Sequence, residues 1–236
     1  MYKMIALDMD GTLLNSQKKI SKATLEAINK AFNAGKEVVL CTGRCIPELQ
    51  EYIEQIKDLR YIIGISGALV YDLKEKKEIY INKIPENQVD IIFDAIEGVD
   101  VLPHVLSEKS LVQKGQMENM EYYGMGAYKP LFEKVATPVD NIAEYSIKNK
   151  VDVLKLNLYH AFQEDREKTR KKLEKENFVM VNAEKTSLEI SAAGTTKGTG
   201  LAKLCDYLGI DLSEVISVGD ADNDLDVLSK AGLAVA

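Results

Sequence analysis

The chain has 236 residues, 46% of them hydrophobic, with 30 Lys and Arg against 37 Asp and Glu for a formal net charge of -7. That length suits one large α/β unit or a core with an insert, and the apolar share can bury a sizeable core. Basic residues are scattered among the acids, which excludes nucleic acid as the main partner; an anionic ligand would need a locally positive pocket built from a metal, a Lys and backbone N–H groups.

From the N-terminus, Met1 to Ile5 carries Lys3 and no apolar run long enough for a signal peptide, and no later stretch approaches a membrane span. Met4 to Met9 reads as a buried strand, and Ser21 to Ala34 as a helix with Ser21 as N-cap and Gly35 just past its end. Glu37 to Cys41 is the next strand. Ile46 to Lys57 places Ile46, Leu49, Ile53 and Ile56 on one helix face, and Tyr61 to Ile65 is a third strand. Right-handed crossovers would wind this β-α-β-α-β run onto one sheet. Cys41, Cys45 and Cys205 are too few and too irregular for a disulfide framework, and they point to a reducing cytoplasm. Cys41 and Cys45 sit i,i+4, but His104 and His160 are far away in sequence, so buried or half-buried thiols are a better reading than a metal site.

After Gly67 the rhythm changes. Leu69 to Tyr71 and Ile79 to Ile81 flank a charged turn and read as a hairpin. From about Pro85 to Asn182 helices such as Asn87 to Glu97 and Asp165 to Glu176 mix with strands such as Val153 to Tyr159, an α+β insert. Gln163 to Asn177 is rich in Lys, Arg and Glu; a solvated helix face with i,i+4 pairs is a better reading than a basic ligand-binding face. Parallel-sheet logic returns near Leu188 to Ser191, followed by a helix Lys197 to Leu208, a strand Val215 to Gly219, a helix Asp222 to Lys230 and a short strand Leu233 to Ala236. The expected architecture is a doubly wound, mostly parallel, Rossmann-like α/β sheet in residues 1–83 and 184–236, with residues 84–183 as the inserted domain.

The chemistry begins where the first strand ends, at Asp8-Met9-Asp10-Gly11-Thr12. Residues i and i+2 of an extended chain point the same way, so Asp8 and Asp10 would flank one space at the carboxyl edge of the sheet, where open α/β sheets bind ligands. Two carboxylates this close need a cation between them or a proton on one. Asp-x-Asp alone leaves a polar strand end as the better reading, since acidic turns are common. A second cluster, Gly219-Asp220-Ala221-Asp222-Asn223-Asp224, follows another apolar strand and holds more acid than helix capping needs; a hard cation with oxygen ligands explains the surplus. Asp220 would reach a metal held by Asp8, and Asp224 would orient metal-bound water or Lys197. Thr42-Gly43-Arg44 after the second strand and Thr196-Lys197-Gly198 opening a helix both suit a phosphate dianion. Taken singly, each is a common turn or a solvated helix start.

All four elements fall at expected carboxyl ends of strands, in one order, and together they resemble motifs one to four of the haloacid dehalogenase-like (HAD) superfamily. Little room lies between the first two motifs, and most of the stretch from Thr42 to Lys197 must be insert, an arrangement similar to the Cof-type branch with its α/β cap between motifs two and three. The resemblance implies a magnesium-dependent cytoplasmic phosphatase acting on small phosphorylated metabolites, sugar phosphates above all. It implies Asp8 as nucleophile forming an aspartyl-phosphate, and Asp10 as the acid that protonates the leaving oxygen and then the base that activates water. Mg2+ would be held by the Asp8 carboxylate, the Asp10 backbone carbonyl and Asp220. Thr42 and Lys197 would grip phosphoryl oxygens, helped by Gly43 and Asn223, with Asp224 behind them.

Two departures stand out. Ser66-Gly67-Ala68 occupies a place where such proteins often carry Asn-Gly-Ala, so the Asn contact to substrate is not expected here; and the sequence stops at Ala236, soon after motif four, where relatives continue, so either it is truncated or the sheet lacks an edge element, which would weaken the support beneath Asp220. The competing readings are a phosphosugar mutase, which would return the phosphoryl group to substrate, and a non-catalytic metal- or phosphate-binding protein. A dehalogenase proper is disfavoured, because carbon–halogen cleavage would leave Asp10 idle. No motif indicates an oligomeric state.

Overall fold

The computed structural model describes residues 1–236. The chain divides into two compact units, one made of Met1–Arg44, Leu49–Ile81 and Thr195–Ala236, the other of Cys45–Glu48 and Asn82–Gly194.

In chain order the first unit supplies β1 (Met4–Leu7), β2 (Glu37–Cys41), β3 (Tyr61–Gly64), β4 (Leu69–Asp72) and β5 (Lys77–Ile81). The second supplies β6 (Val101–Leu106), β7 (Ser110–Gln113), β8 (Thr137–Val139), β9 (Lys155–His160), β10 (Phe178–Asn182) and β11 (Ser187–Ala192), after which β12 (Val215–Val218) and β13 (Leu233–Val235) return to the first. The first sheet has the order β13-β12-β1-β2-β3-β4-β5. Strands β13 through β3 pair in parallel, and the β4–β5 hairpin adds on antiparallel, as the charged turn between them allows. β1 lies between β12 and β2, and the side chains of Met4 and Ala6 are wholly excluded from solvent. Together with Val39, Ile63, Leu201 and Leu204 they form the core on one side of the sheet. Each large apolar side chain so buried contributes roughly 1.5–3 kcal/mol.

The helix Lys22–Asn33 starts where Ser21 accepts the Thr24 N–H at 3.1 Å and buries Ile28. The helix read over Ile46 to Lys57 is broken in two. A 3-10 turn covers Ile46–Leu49 and an α-helix covers only Gln50–Gln55. Pro47 has no N–H to donate, and the Glu48 carboxylate takes the Cys45 N–H at 3.4 Å, so the first turn closes locally. Cys45–Glu48 then groups with the second unit.

The second unit's sheet runs β10-β11-β9-β6-β7-β8, antiparallel except for β7 against β8. One face is apolar: Val101, Val105, Leu156, Leu158, Leu188 and Ile190 pack with Val89 and Ile92 of the helix Glu86–Ala95 and Leu173 of the helix Gln163–Leu173. The reading of Leu188 to Ser191 as a return of the parallel sheet is corrected here: β11 is antiparallel to both β9 and β10. Its alternation explains this. Leu188 and Ile190 face the apolar core while Ser187, Glu189 and Ser191 take the other face, the signature of an antiparallel strand; a central parallel strand is apolar on both faces.

β13 pairs with β12 at the sheet edge, and the Gly219 N–H donates to the Val235 carbonyl at 3.1 Å. The backbone just before Asp220 is therefore held from that side, against the expectation of a weak edge there.

Candidate active site

Asp8 follows β1 directly. Its N–H donates to the Val218 carbonyl of β12 at 2.9 Å, and its side chain is buried. The turn after it needs Gly11, whose φ is +92° and whose added methyl would collide with the Asp220 carboxylate. Thr12 Oγ1 donates to Asp220 Oδ1 at 2.7 Å, so the first and fourth motifs are joined directly.

Lys197 opens the helix Lys197–Leu208, whose bounds match the sequence reading. Thr196 caps it, accepting the Thr199 N–H at 3.0 Å, and this seats Lys197 with only 2% of its surface exposed. Lys197 Nζ donates to Asp8 Oδ1 at 2.6 Å and to Asp224 Oδ1 at 2.7 Å. Asp224 is fully buried, and its second oxygen accepts the Ala221 N–H at 3.2 Å.

Burial works against the Lys197 ammonium, yet Cys41, Asp8 and Asp224 outweigh it and hold the group above its ordinary range. Burial pushes the Cys41 thiol up to about 12, so at neutral pH the charges that Lys197 meets are the two carboxylates. For Asp8 burial prevails over Lys197, and its carboxyl is raised.

Carboxylate oxygens of Asp8, Asp220 and Asp224 all lie within 4.8 Å of one another. One ammonium against three carboxylates leaves a local excess of negative charge. Beside them Asn223 Oδ1 is buried without a hydrogen-bond partner. An all-oxygen donor set, surplus negative charge and an orphaned buried carbonyl oxygen fit a hard divalent cation.

Asp10 is held by cations instead. Arg44 grips it with a two-pronged fork, Nε to Oδ2 at 2.9 Å and Nη2 to Oδ1 at 2.8 Å, and Lys18 Nζ reaches Oδ1 at 2.7 Å. Burial would raise this carboxyl, but Arg44 and then Lys18 prevail and hold it below the usual range. Thr42 is buried at the end of β2, its Oγ1 accepting the Arg44 N–H at 3.3 Å, and Gly43 lies in the same turn. The Ser66 N–H donates to the Thr42 carbonyl at 2.9 Å from a left-handed stretch in which Ile65, Ser66 and Gly67 all have positive φ.

Hydrogen bonds thus join Lys197 to Asp8 and Asp224, and Thr12 to Asp220, while Asp10 and Thr42 meet through Arg44. The sequence reading missed the Arg44 and Lys18 side chains as partners of Asp10. Arg44 had a signal, as the third residue of Thr-Gly-Arg; Lys18, an exposed lysine in a polar turn, had none.

The model of the haloacid dehalogenase-like hydrolase family matches residues 5–236. The chain belongs to that family and is a phosphatase enzyme. It is 29% identical over 244 residues to YxeH of Bacillus subtilis, covering 100% of this chain and 87% of that protein. It is also 29% identical to YcsE of the same organism, a 5-amino-6-(5-phospho-D-ribitylamino)uracil phosphatase, over 99% of this chain and 83% of the other. Among solved structures, BT1666 of Bacteroides thetaiotaomicron, described among HAD phosphatases, superposes with a TM-score of 0.80 at 26% identity, over 99% of this chain and 84% of that one. A haloacid dehalogenase-like hydrolase from B. subtilis shares the fold with a TM-score of 0.86 at 24% identity, over 98% and 88%. No helix is long and apolar enough to cross a membrane.

Proposed function

We propose that this enzyme hydrolyses phosphate monoesters of small metabolites, with sugar phosphates and phosphorylated polyols as the substrate class, through an aspartyl-phosphate on Asp8. The observation that carries this reading is the buried Lys197 bridging Asp8 and Asp224 with Asp220 alongside, a site with anchored cationic and anionic groups at one strand edge. YcsE removes phosphate from a ribityl chain, a hydroxyl-rich phosphate ester of this class. Three buried free cysteines accord with a cytoplasmic location.

In the first half-reaction an Asp8 oxygen bonds to phosphorus as the ester bond breaks, and Asp10 gives the leaving oxygen its proton. In the second, Asp10 takes a proton from water as the water oxygen bonds to phosphorus and Asp8 is released. Lys197 and Thr42 hold phosphoryl oxygens, with Gly43 and Asn223 helping, and Asp224 keeps Lys197 in place. Mg2+ would be held by the Asp8 carboxylate, the Asp10 backbone carbonyl and Asp220, and when bound it neutralises charge on the phosphoryl oxygens. The unit Asn82–Gly194 serves as the cap that selects substrate.

The test separates the two aspartates. Asp8→Asn and Asp10→Asn proteins are incubated with labelled acetyl phosphate and magnesium, digested at low pH and mapped by mass spectrometry. Asp10→Asn should carry a persistent label on Asp8, because acetyl phosphate has a leaving group that needs little protonation, and Asp8→Asn should carry none. Label on Asp10 in the Asp8→Asn protein, or none in Asp10→Asn, would overturn the division of roles.

A further inference from the structure

We propose that Arg44, Lys18 and Tyr52 form a clamp that fixes the Asp10 carboxylate and leaves its Oδ2 as the proton-transfer oxygen, making Arg44 and Lys18 positioning residues for leaving-group protonation. This rests on the reading of Asp10 as the acid and base of the reaction. An ionised carboxyl oxygen accepts along about two directions. Oδ1 takes two charged donors, Arg44 Nη2 at 2.8 Å and Lys18 Nζ at 2.7 Å, and is filled; Oδ2 takes one, Arg44 Nε at 2.9 Å, and keeps one direction open.

The clamp is built, and goes beyond a chance surface pair. The Arg44 guanidinium carbon lies 5.6 Å from the centroid of the Tyr52 ring, and its side chain is 10% exposed. The Tyr52 hydroxyl donates to the Lys18 carbonyl at 3.0 Å, so one aromatic residue on the crossover between β2 and β3 contacts the guanidinium of Arg44 and the backbone of Lys18. Lys18 itself sits at φ +56°, in a turn closed by its N–H to the Asn15 carbonyl and by Asn15 Oδ1, which accepts the N–H groups of Gln17 and Lys19. That backbone aims the Lys18 side chain back at Asp10, eight positions earlier in the chain. A fork on both oxygens fixes the plane of the carboxylate as well as its position.

With the plane fixed, Oδ2 hands its proton to the ester oxygen as the phosphorus–oxygen bond breaks and the bond to Asp8 forms. It takes a proton back from water when the Asp8–phosphorus bond is broken. Esters with poor alkoxide leaving groups depend on that transfer, and esters of acidic phenols scarcely do.

The experiment measures kcat and KM, with magnesium, over a series from alkyl phosphates to 2,4-dinitrophenyl phosphate. The proteins are wild type, Asp10→Asn, Arg44→Ala, Lys18→Met, Tyr52→Phe and the Asp10→Asn/Arg44→Ala double variant. Arg44→Ala should lose about a hundredfold in kcat on the alkyl esters and under about tenfold on the dinitrophenyl ester, the pattern of a weakened general acid. Lys18→Met and Tyr52→Phe should shift in the same direction by less. Added guanidinium should restore alkyl-ester turnover to Arg44→Ala, and the double variant should be no slower than Asp10→Asn alone, because Arg44 acts only through Asp10. Equal loss across the series, or a double variant slower than Asp10→Asn, would overturn the clamp and make Arg44 a direct phosphate ligand. Where Arg44→Ala does not fold, Lys18→Met decides by the same comparison. Failure of the underlying reading looks different: wild type releases no phosphate, or Asp10→Asn turns over alkyl esters normally.

Discussion

Lys197 and Lys155 are both buried lysines, 2% and 1% exposed, one in each unit, and their surroundings differ in kind. Lys197 touches two carboxylates, and a third, Asp220, lies within 4.8 Å of those two, so its neighbourhood keeps a surplus of negative charge. Lys155 pairs with Glu189 at 3.0 Å on the polar face of β9 and β11, one cation to one carboxylate. Nearby His104 is pushed down to about 3, by burial first and then by Lys155, and it stays neutral between Ser110 at 2.7 Å and the Tyr159 hydroxyl at 3.3 Å, with the Glu48 carboxylate 3.6 Å away. Balanced buried polar groups hold a fold together; an unbalanced cluster marks a place where something charged is to be bound.

The largest expected effect breaks the surplus itself. Removing magnesium with a chelator should take phosphate release to background, with restoration by magnesium and not by calcium, whose larger and looser shell would misplace Asp8 relative to phosphorus. Full turnover in the chelator would mean that the acid cluster is only a strand-end ornament. Next, Lys197→Ala should cut turnover by about 10²- to 10³-fold, as loss of one preorganised electrostatic contact does, while the magnesium concentration needed for half-maximal rate moves far less. Near-normal turnover would put Lys197 in the same structural category as Lys155.

Lys155 sharpens the contrast from the other side. Lys155→Met strands the Glu189 carboxylate and should lower unfolding stability by somewhat less than the roughly 3–5 kcal/mol of a fully buried pair, since Glu189 keeps some solvent; Lys155→Met/Glu189→Leu should regain most of it. Denaturant titration reads both, and a double variant as weak as the single would show that the pair is more than balanced charge. The smallest effect concerns Asp72 at the end of β4. Burial would raise its carboxyl, but Arg60 and the N–H groups of Glu75 and Lys74 hold it below its ordinary value of 3.8. A depressed folded value means stability that is present above the unfolded value and lost as pH falls through the folded one. The stability gap between wild type and Asp72→Asn should therefore be constant at neutral pH and close below about pH 4; a gap that persists at pH 2 would assign the effect to packing alone.

How much of this was legible depended on whether the signal was local. Strand ends followed by Asp, and a Thr cap before Lys197, are written in adjacent residues, and the helix Lys197–Leu208 was read to its ends. The Lys197 contact to Asp224 is one of the two roles read for that aspartate, whereas its contact to Asp8 has no local signal. β11 was assigned to the wrong sheet because a short apolar run does not state its partner, although its Ser-Leu-Glu-Ile-Ser alternation carried the information. Nothing local marks Lys18 as a partner of Asp10, nor Glu48 as the acceptor of Ser110 Oγ at 3.1 Å across 62 residues. Those bonds exist only once the strands have brought their ends together.

The Thr12–Asp220 hydrogen bond spans 208 residues, and β1 needs β12 on one side as well as β2 on the other. During synthesis at about 5–20 residues per second, Thr12 waits roughly 10 to 40 s for its partner to be made. By then every strand of the inserted unit has been made, while β1 still shows a bare edge. The site is completed only when β12 and the turn carrying Asp220 have been made, and until then the open side of β1 is an unpaired edge.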